Sequence, residues 1–553
     1  MKIIGRSFPP RHYIHYKPYP NINMKIIISK SSLIDMNVEF KKEPLSRFLS
    51  VSLFIVITLF SITFSVYLLY SVHTFYMYII AISFLALSLI SGFFNISTSY
   101  SYYRSYFYQE YLSRIKRSLK PMKKMPNVAV VMPVYNESVS VVEKNALRLK
   151  ALKYPSNKIN FYLLDDSTRK EINDELMLFC RKHKIEYIHR NVRTGYKAGA
   201  LNNMLVNAKE EFIAIFDYDE YLTNTNFLLD LLPYFSDKNV SYIQTEKSYA
   251  KGTFFSDTIN LFDAFFFRFI QPSRALNNTA IFAGSCGIIR RSALESIGGF
   301  PEYVIEDTFF SFESDMYEFK SLYIPKIYAL GKPIFTFSEL AKQQWRYNYG
   351  DTQFLGYFLR RDKKQNKKKT ISTISNIDYM SHGFGLNYLS AMVILFTIIS
   401  VFIVFSAVPF AHMTIKQFLT SRYLGIDLEI FGIMAFVLSI ITPAILTKIY
   451  FKSLSKGIMI FMLNFSLAFI RTKAAIAAVL NLTPKKTWSR GSELGGIRIF
   501  SALRNSMAEV TFSSILFILG GMAISTDNVS GGLWLLWYGL LYSSTFFFFY
   551  RYR

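Results

Sequence analysis

Two kinds of pattern alternate along the chain. Phe48–Tyr70 and Phe75–Phe94 are apolar runs, each long enough as a helix to cross a hydrocarbon core of roughly 30 Å. The link between them, Ser71-Val72-His73-Thr74, carries no Lys or Arg. Basic residues flank the pair instead, Lys41, Lys42 and Arg47 before it and Arg114, Lys116, Arg117, Lys120, Lys123 and Lys124 after it. Positive flanks stay in the cytosol, so the two runs predict a transmembrane hairpin over 46–97, preceded by a cytosolic tail over 1–45. Residues 1–23 do not read as a signal peptide, because no apolar core follows the basic start; they form either a tail or an extension upstream of a start at Met24. Apolar runs return at Leu386–Ala411, Ile430–Leu446, Met507–Ile524 and Leu533–Tyr550. This predicts six spans, with a transmembrane pair in 380–450 and another in 507–553. Ile458–Leu482 is apolar too, but Lys456 precedes it, Lys485-Lys486 follow, and Arg471 and Lys473 interrupt it. Basic residues on both sides favour a helix lying in the cytosolic interface, within a segment 455–506.

Between the first and second sets of spans the pattern changes. Over 98–375 short apolar runs alternate with amphipathic stretches, which predicts an α/β cytosolic domain with a largely parallel, Rossmann-like sheet inserted between membrane helices. Val128–Met132, Asn160–Leu164 and Phe212–Phe216 read as buried strands, and Val139–Leu152 reads as a helix. Composition agrees: 51% of the 553 residues are hydrophobic and only 18% charged, with 53 Phe, a balance that fits several spans better than a soluble protein. The net charge of +25 is accounted for by basic cytoplasmic flanks, such as Lys363 to Lys369 before the third span, without invoking nucleic acid. Two cysteines, Cys180 and Cys286, make no disulfide framework and stand in no metal-ligand spacing. The expected spans hold almost no ionisable residues, which argues against ion transport.

Chemistry gathers where strands end. In an open α/β sheet, ligands bind outside the carboxyl ends of the strands. Asp165-Asp166 follows the second predicted strand and Asp217-Tyr218-Asp219 the third. A carboxylate at one strand end is commonplace; two strands each ending in paired Asp suggest a hard divalent cation, Mg²⁺ or Mn²⁺, beside a diphosphate.

With these residues in place, the chain resembles processive-type family 2 glycosyltransferases, the group of the bacterial cellulose and hyaluronan synthases. Pro133-Val134-Tyr135-Asn136-Glu137 resembles the opening PxYNE motif. Asp165-Asp166-Ser167, Lys197-Ala198-Gly199-Ala200-Leu201-Asn202 and Asp217-Tyr218-Asp219 match the next three motifs in order. Phe282-Ala283-Gly284-Ser285 with Arg290-Arg291 resembles FxGS…RR, Glu306-Asp307 stands where the family has TED, and Gln343-Gln344-Trp345-Arg346-Tyr347 resembles QQxRW. Leu480-Asn481-Leu482-Thr483-Pro484-Lys485 is similar to the FxVTxK gating loop. The resemblance spans about residues 45–550 and implies a GT-A-type domain that moves a sugar from a nucleotide-sugar, a UDP-sugar, to a growing β-linked glycan. A polyprenyl-phosphate or other membrane lipid is the alternative acceptor.

The resemblance also implies roles. Asp307, with Glu306, would be the catalytic base, and Asp217 and Asp219 would hold the metal. Tyr135, Glu137, Asp165, Asp166, Lys197, Asp217, Gln343 and Arg346 would bind the nucleotide-sugar, and Phe282, Gly284, Ser285, Gln344 and Tyr347 the acceptor. Thr483 and Lys485 would belong to the gating loop. It further implies a multi-pass protein of the cell membrane with its catalytic domain in the cytosol and lipids around its spans. The departures are Ile305 for the Thr of TED, Glu220 where a His is common after DxD, Tyr347 for the acceptor-stacking Trp, and Leu480 and Leu482 in the gating loop.

Overall fold

The computed structural model describes residues 44–71, 74–119, 124–360, 372–405, 442, 445–482 and 498–552. The chain enters as helix α1 (Pro44–Ser71), turns back as α2 (Phe75–Ser105), and runs through α3 (Tyr108–Ser118) into the α/β domain. Small residues let α1 and α2 approach closely. A Cβ on Gly92 would come within 2.8 Å of Thr58 Cγ2, and the Ser61 and Ser65 hydroxyls both bond Ser88 Oγ, at 2.9 and 2.8 Å. Such contacts hold helices together where surrounding lipid offers no hydrophobic drive.

The α/β domain follows as β1 (Val128–Val134), α4 (Val139–Leu149), β2 (Ile159–Asp165), α5 (Lys170–His183), β3 (Glu186–His189), α6 (Tyr196–Asn207), β4 (Phe212–Ile215) and β5 (Tyr221–Leu222). It continues through β6 (Val240–Thr245), β7 (Ser248–Tyr249), α7 (Phe254–Phe265), β8 (Gly287–Arg290), α8 (Glu306–Met316), β9 (Lys320–Ile324) and β10 (Ala329–Gly331). Seven strands form one sheet in the order β3-β2-β1-β4-β8-β6-β9. β8 runs antiparallel to both neighbours and the other pairings are parallel. A smaller sheet, β5-β10-β7, lies apart from it.

Strands β1 and β4 are apolar throughout because both faces of the sheet are covered. Val128, Val130 and Met132 of β1 enter one core with Phe212 and Ala214 of β4. Ala129 and Val131 enter the other, with Ile213, Ile215 and the α6 residues Ala198, Leu201 and Met204. Cys180 and Cys286 are buried free thiols. Strand β4 ends one residue before the Phe216 expected, and α4 stops at Leu149 rather than Leu152.

Past the sheet, α9 (Phe337–Arg360) carries the chain towards α10 (Thr373–Val404). Then come α11 (Leu454–Ser466), α12 (Ala468–Val479), α13 (Arg498–Asn505), α14 (Met507–Ser525) and α15 (Val529–Arg551). Among the described residues, Phe75–Ser105, Met507–Ser525 and Gly531–Arg551 are long and apolar enough to cross a membrane. Two bent pairs, Thr373–Gly385 with Leu389–Val404 and Leu454–Ser466 with Ala468–Val479, bring the number to as many as five if each is one span. The expected span over 430–446 lies almost wholly outside the described residues, as does the end of the one over 386–411. The stretch read as a single interfacial helix, 458–482, is instead two helices bent by 43° at Leu467. The last helix docks on the α/β domain: Phe548 stacks on Phe337, and Phe337 N donates to Tyr552 O at 2.7 Å.

Candidate active site

The acids after β4 sit in a lattice of cations and hydroxyls. Phe216 N bonds Val131 O and Cys286 N bonds Ile215 O, which brings the 282–286 loop alongside Asp217. Lys197, in the first turn of α6, donates to Asp217 Oδ1 at 2.6 Å and to Gly284 O at 2.9 Å. Ser285 Oγ lies 2.8 Å from Asp217 Oδ2 and 2.7 Å from Glu220 Oε1. Lys247 donates to Ser285 Oγ at 2.6 Å and stands 3.1 Å from Glu220 Oε1 and 3.6 Å from Asp217 Oδ2. Burial opposes ionisation of Asp217, but Lys197, Lys247 and the Ser285 hydroxyl outweigh it and hold its carboxyl well below the usual range. Burial alone would lower the Lys197 ammonium; Asp217 and Glu306 raise it above the ordinary lysine value.

Asp219 differs. Burial, reinforced by the negative charges of Asp217 and Glu220, pushes its carboxyl up to about 7. A group raised by surplus neighbouring negative charge is one that a cation would relieve. Among the described residues no cluster of three or more His, Cys, Asp or Glu side chains is arranged as a metal cage. Magnesium-type sites take only one or two carboxylates and leave the other positions to phosphate oxygens and water, so the DxD acids fit such an ion.

The second acidic pair plays a different part. Asp165 closes β2 opposite Val134. Its two carboxylate oxygens accept from Ser167 N at 2.8 Å and from the Tyr187 hydroxyl at 2.7 Å. Asp166 is 6% exposed and takes a two-pronged ion pair from Arg190, whose Nε lies 2.8 Å from Oδ1. Both acids therefore shape the loop beside Tyr135. Glu137 and Tyr135 stand at the carboxyl end of β1 on the same edge, half-buried. Asn136, at φ +52°, bonds Ser167 Oγ through its backbone N–H and Thr168 through its side chain, locking the β1 and β2 loops together.

The third group comes from α8. Glu306 and Asp307 form its first turn, where the exposed N–H groups favour negative charge. Thr308 N donates to Asp307 Oδ1 at 2.8 Å. Gly284, at φ +79°, is so close that a Cβ there would lie 3.0 Å from Asp307 Oδ2 and 3.6 Å from Lys197 Nζ. One lysine and one glycine thus join Asp217 to Asp307. Burial and the Asp307 charge, against Lys197 and Arg346, raise Glu306 to about 7. Burial likewise raises Asp307, with Lys197 and Arg346 opposing.

Helix α9 supplies the last wall. The Arg346 guanidinium lies over the Tyr347 ring at 5.0 Å, and Gln343 Nε2 reaches the Tyr347 hydroxyl at 3.4 Å. Gln344, expected at the acceptor, is 3% exposed and turned to α12: its Oε1 accepts from Arg471 Nε and Nη2 of that helix at 3.0 and 2.8 Å. Phe282, also expected there, is 1% exposed and packs edge-on against Tyr242 and Phe310 in the sheet core, so its ring positions the loop. Thr483 and Lys485 lie outside the described residues. The residue just before them, Leu482, accepts through its carbonyl from the Tyr349 hydroxyl of α9 at 3.3 Å.

Sequence reasoning missed Lys247 and Gln244. Gln244 lies within β6 and Lys247 two residues beyond its end, the same strand-end signal that marked the acids. Gln244 Oε1 accepts from Ala283 N at 2.7 Å and its Nε2 donates to Ser285 O at 3.0 Å, holding the loop that carries Gly284.

A mixed, mainly parallel sheet with acids at the ends of β2 and β4 and a third acidic pair at the start of α8 is a GT-A-type arrangement. Residues 129–298 match the family model Glycosyl transferase family 2. It is 30% identical over 235 residues to the cellulose synthase catalytic subunit [UDP-forming] of Pseudomonas fluorescens SBW25, covering 41% of this chain and 31% of that protein. It is 33% identical over 198 residues to putative cellulose synthase 2 of Komagataeibacter xylinus, covering 34% and 12%. The chain thus spans less than a third of the length of these two relatives. Among solved structures, a mannosyltransferase from Pyrobaculum calidifontis, in complex with GDP-Man and Mn²⁺, aligns at 15% identity with a TM-score of 0.45 over 70% of this chain and 99% of that one.

Proposed function

We propose that the chain is an inverting glycosyltransferase that moves a sugar from a UDP-sugar to a growing β-linked polysaccharide and secretes the product through its own membrane segments. The observation that carries this is the junction at Lys197 and Gly284, which sets the DxD carboxylate and the α8 carboxylate on either side of one small gap. Asp307 takes the proton from the attacking acceptor hydroxyl, as a base must from within hydrogen-bond reach. Arg346, beside Glu306 and Asp307, offers fixed positive charge to the departing diphosphate, where preorganised charge lowers the barrier most. Asp219 with Asp217 would hold a divalent ion, Mg²⁺ or Mn²⁺, which would supply neutralising charge to the leaving diphosphate. Lys197 keeps Asp217 ionised and closes the pocket over the donor. Tyr347 presents its ring to the acceptor sugar in place of the family's Trp.

The UDP-forming name of the Pseudomonas relative supports the donor. Docking of α9 on α12 and α15 supports direct passage of product from the site to the membrane helices. The reading places the catalytic domain on the cytosolic side of the cell membrane, with donor, glycan and membrane lipids as partners. The test incubates the purified protein in lipid with Mn²⁺ and labelled UDP- and GDP-sugars, then separates products by size and by solvent extraction. A large water-phase product made from a UDP-sugar, and lost in Asp307→Asn, supports the proposal. A single-sugar product in the organic phase identifies a lipid acceptor and removes the secretion step. No product from any donor overturns the reading.

A further inference from the structure

One contact beside the nucleotide edge has no part in the chemistry above. Arg193, on the loop between β3 and α6, lays its guanidinium over the Tyr135 ring with Cζ 3.5 Å from the ring centre. The Tyr196 ring lies further off at 5.3 Å. Arg193 Nε is buried and has no hydrogen-bond partner. Its nearest carboxylate oxygen, Asp166 Oδ2, is 3.9 Å away and already accepts from Arg190. The group is therefore held by its ring contact while one of its donors goes unused, and an unused buried donor is a cost that a better-matched arrangement removes.

A flat cation at that spacing takes the ring face on which a flat nucleobase stacks. We propose that Arg193 is a displaceable cover on the Tyr135 face of the nucleobase site. The base of an incoming nucleoside diphosphate replaces the guanidinium on the ring, and the arrangement sets how tightly the donor nucleotide is held. This rests on the nucleotide-sugar reading above and adds to it a residue that weakens binding.

The test measures UDP and GDP binding to the full-length protein in lipid nanodiscs by calorimetry, with no acceptor present. Arg193→Lys keeps the positive charge but lacks the planar group that stacks on a ring. It is expected to bind UDP about threefold more tightly than the wild type. In a Tyr135→Leu background the same substitution is expected to change nothing, since the shared face is gone. Equal or weaker binding by Arg193→Lys, or an undiminished gain without Tyr135, overturns the cover. If neither UDP nor GDP binds the wild type or any variant, the nucleotide reading falls and the cover falls with it.

Discussion

Gly284 and Gly298 both have positive φ, +79° and +87°, yet only one of them touches the site. An alanine at either position must adopt a left-handed backbone, at about 1–2 kcal/mol. At Gly298 nothing else changes, because no heavy atom lies within 4 Å of the added methyl. At Gly284 the methyl would lie 3.0 Å from Asp307 Oδ2. Carbon–oxygen contacts settle nearer about 3.5 Å, so the carboxylate must retreat by roughly half an ångström. Its other oxygen is held by Thr308 N, so the retreat turns the acid away from the gap. Misplacement of a reacting group by about 1 Å can cost about a hundredfold in rate, so half of that implies about tenfold. Gly284→Ala is therefore expected to lose about tenfold in kcat, and Gly298→Ala almost nothing, while the two show similar falls in thermal midpoint. The assay pairs turnover on the donor identified above with thermal unfolding in the same detergent. Wild-type turnover by Gly284→Ala, or an equal loss in both variants, would refute the placement of Asp307 as base.

Other consequences can be measured with the same preparation. Asp219→Asn should abolish Mn²⁺ binding read by electron paramagnetic resonance and should abolish transfer, and excess chelator should stop the wild type; full activity with chelator contradicts the metal role. Burial stabilises the protonated forms of both Glu306 and Asp307, and at Glu306 the Asp307 charge adds to it and raises the carboxyl to about 7. Asp307, raised by burial, is protonated and lost as base at a higher pH than an ordinary carboxylate, so the acid limb of kcat/KM should lie above about pH 4; a profile flat down to about pH 4 would contradict this. Gln344→Met strips Arg471 of two acceptor contacts inside the protein and should cost about 2–3 kcal/mol of stability, visible in thermal unfolding, whereas adding Arg471→Met should recover most of the loss.

The α/β domain could be read from sequence because strands buried on both faces leave unbroken apolar runs, and because a run that stops at Asp marks its own end. The candidate acids were legible for the same reason: Asp217 and Asp219 follow β4 by position alone. What each acid bonds was not legible. Asp166 and Gln344 carry equally strong motif signals, yet Arg190 claims one and Arg471 the other, and Arg471 is 127 residues away in sequence. Lys247 lay in plain view beyond β6, but a lone lysine gives no sign that it faces carboxylates in the loop after β4. The bend at Leu467 escaped notice because an apolar stretch has the same hydropathy whether straight or broken.

The bond between Gln344 and Arg471 also limits how this chain can change by descent. Arg471 is 1% exposed and is held by the Gln344 and Asn464 amides, with no acidic partner among the described residues. A change at position 344 alone leaves the buried charge with one of its two amide partners, and a change at 471 alone leaves the Gln344 amide oxygen without these donors. Positions 344, 464 and 471 should therefore be inherited as a block. In a saturation library selected for function, they should stay fixed one at a time and vary freely only together.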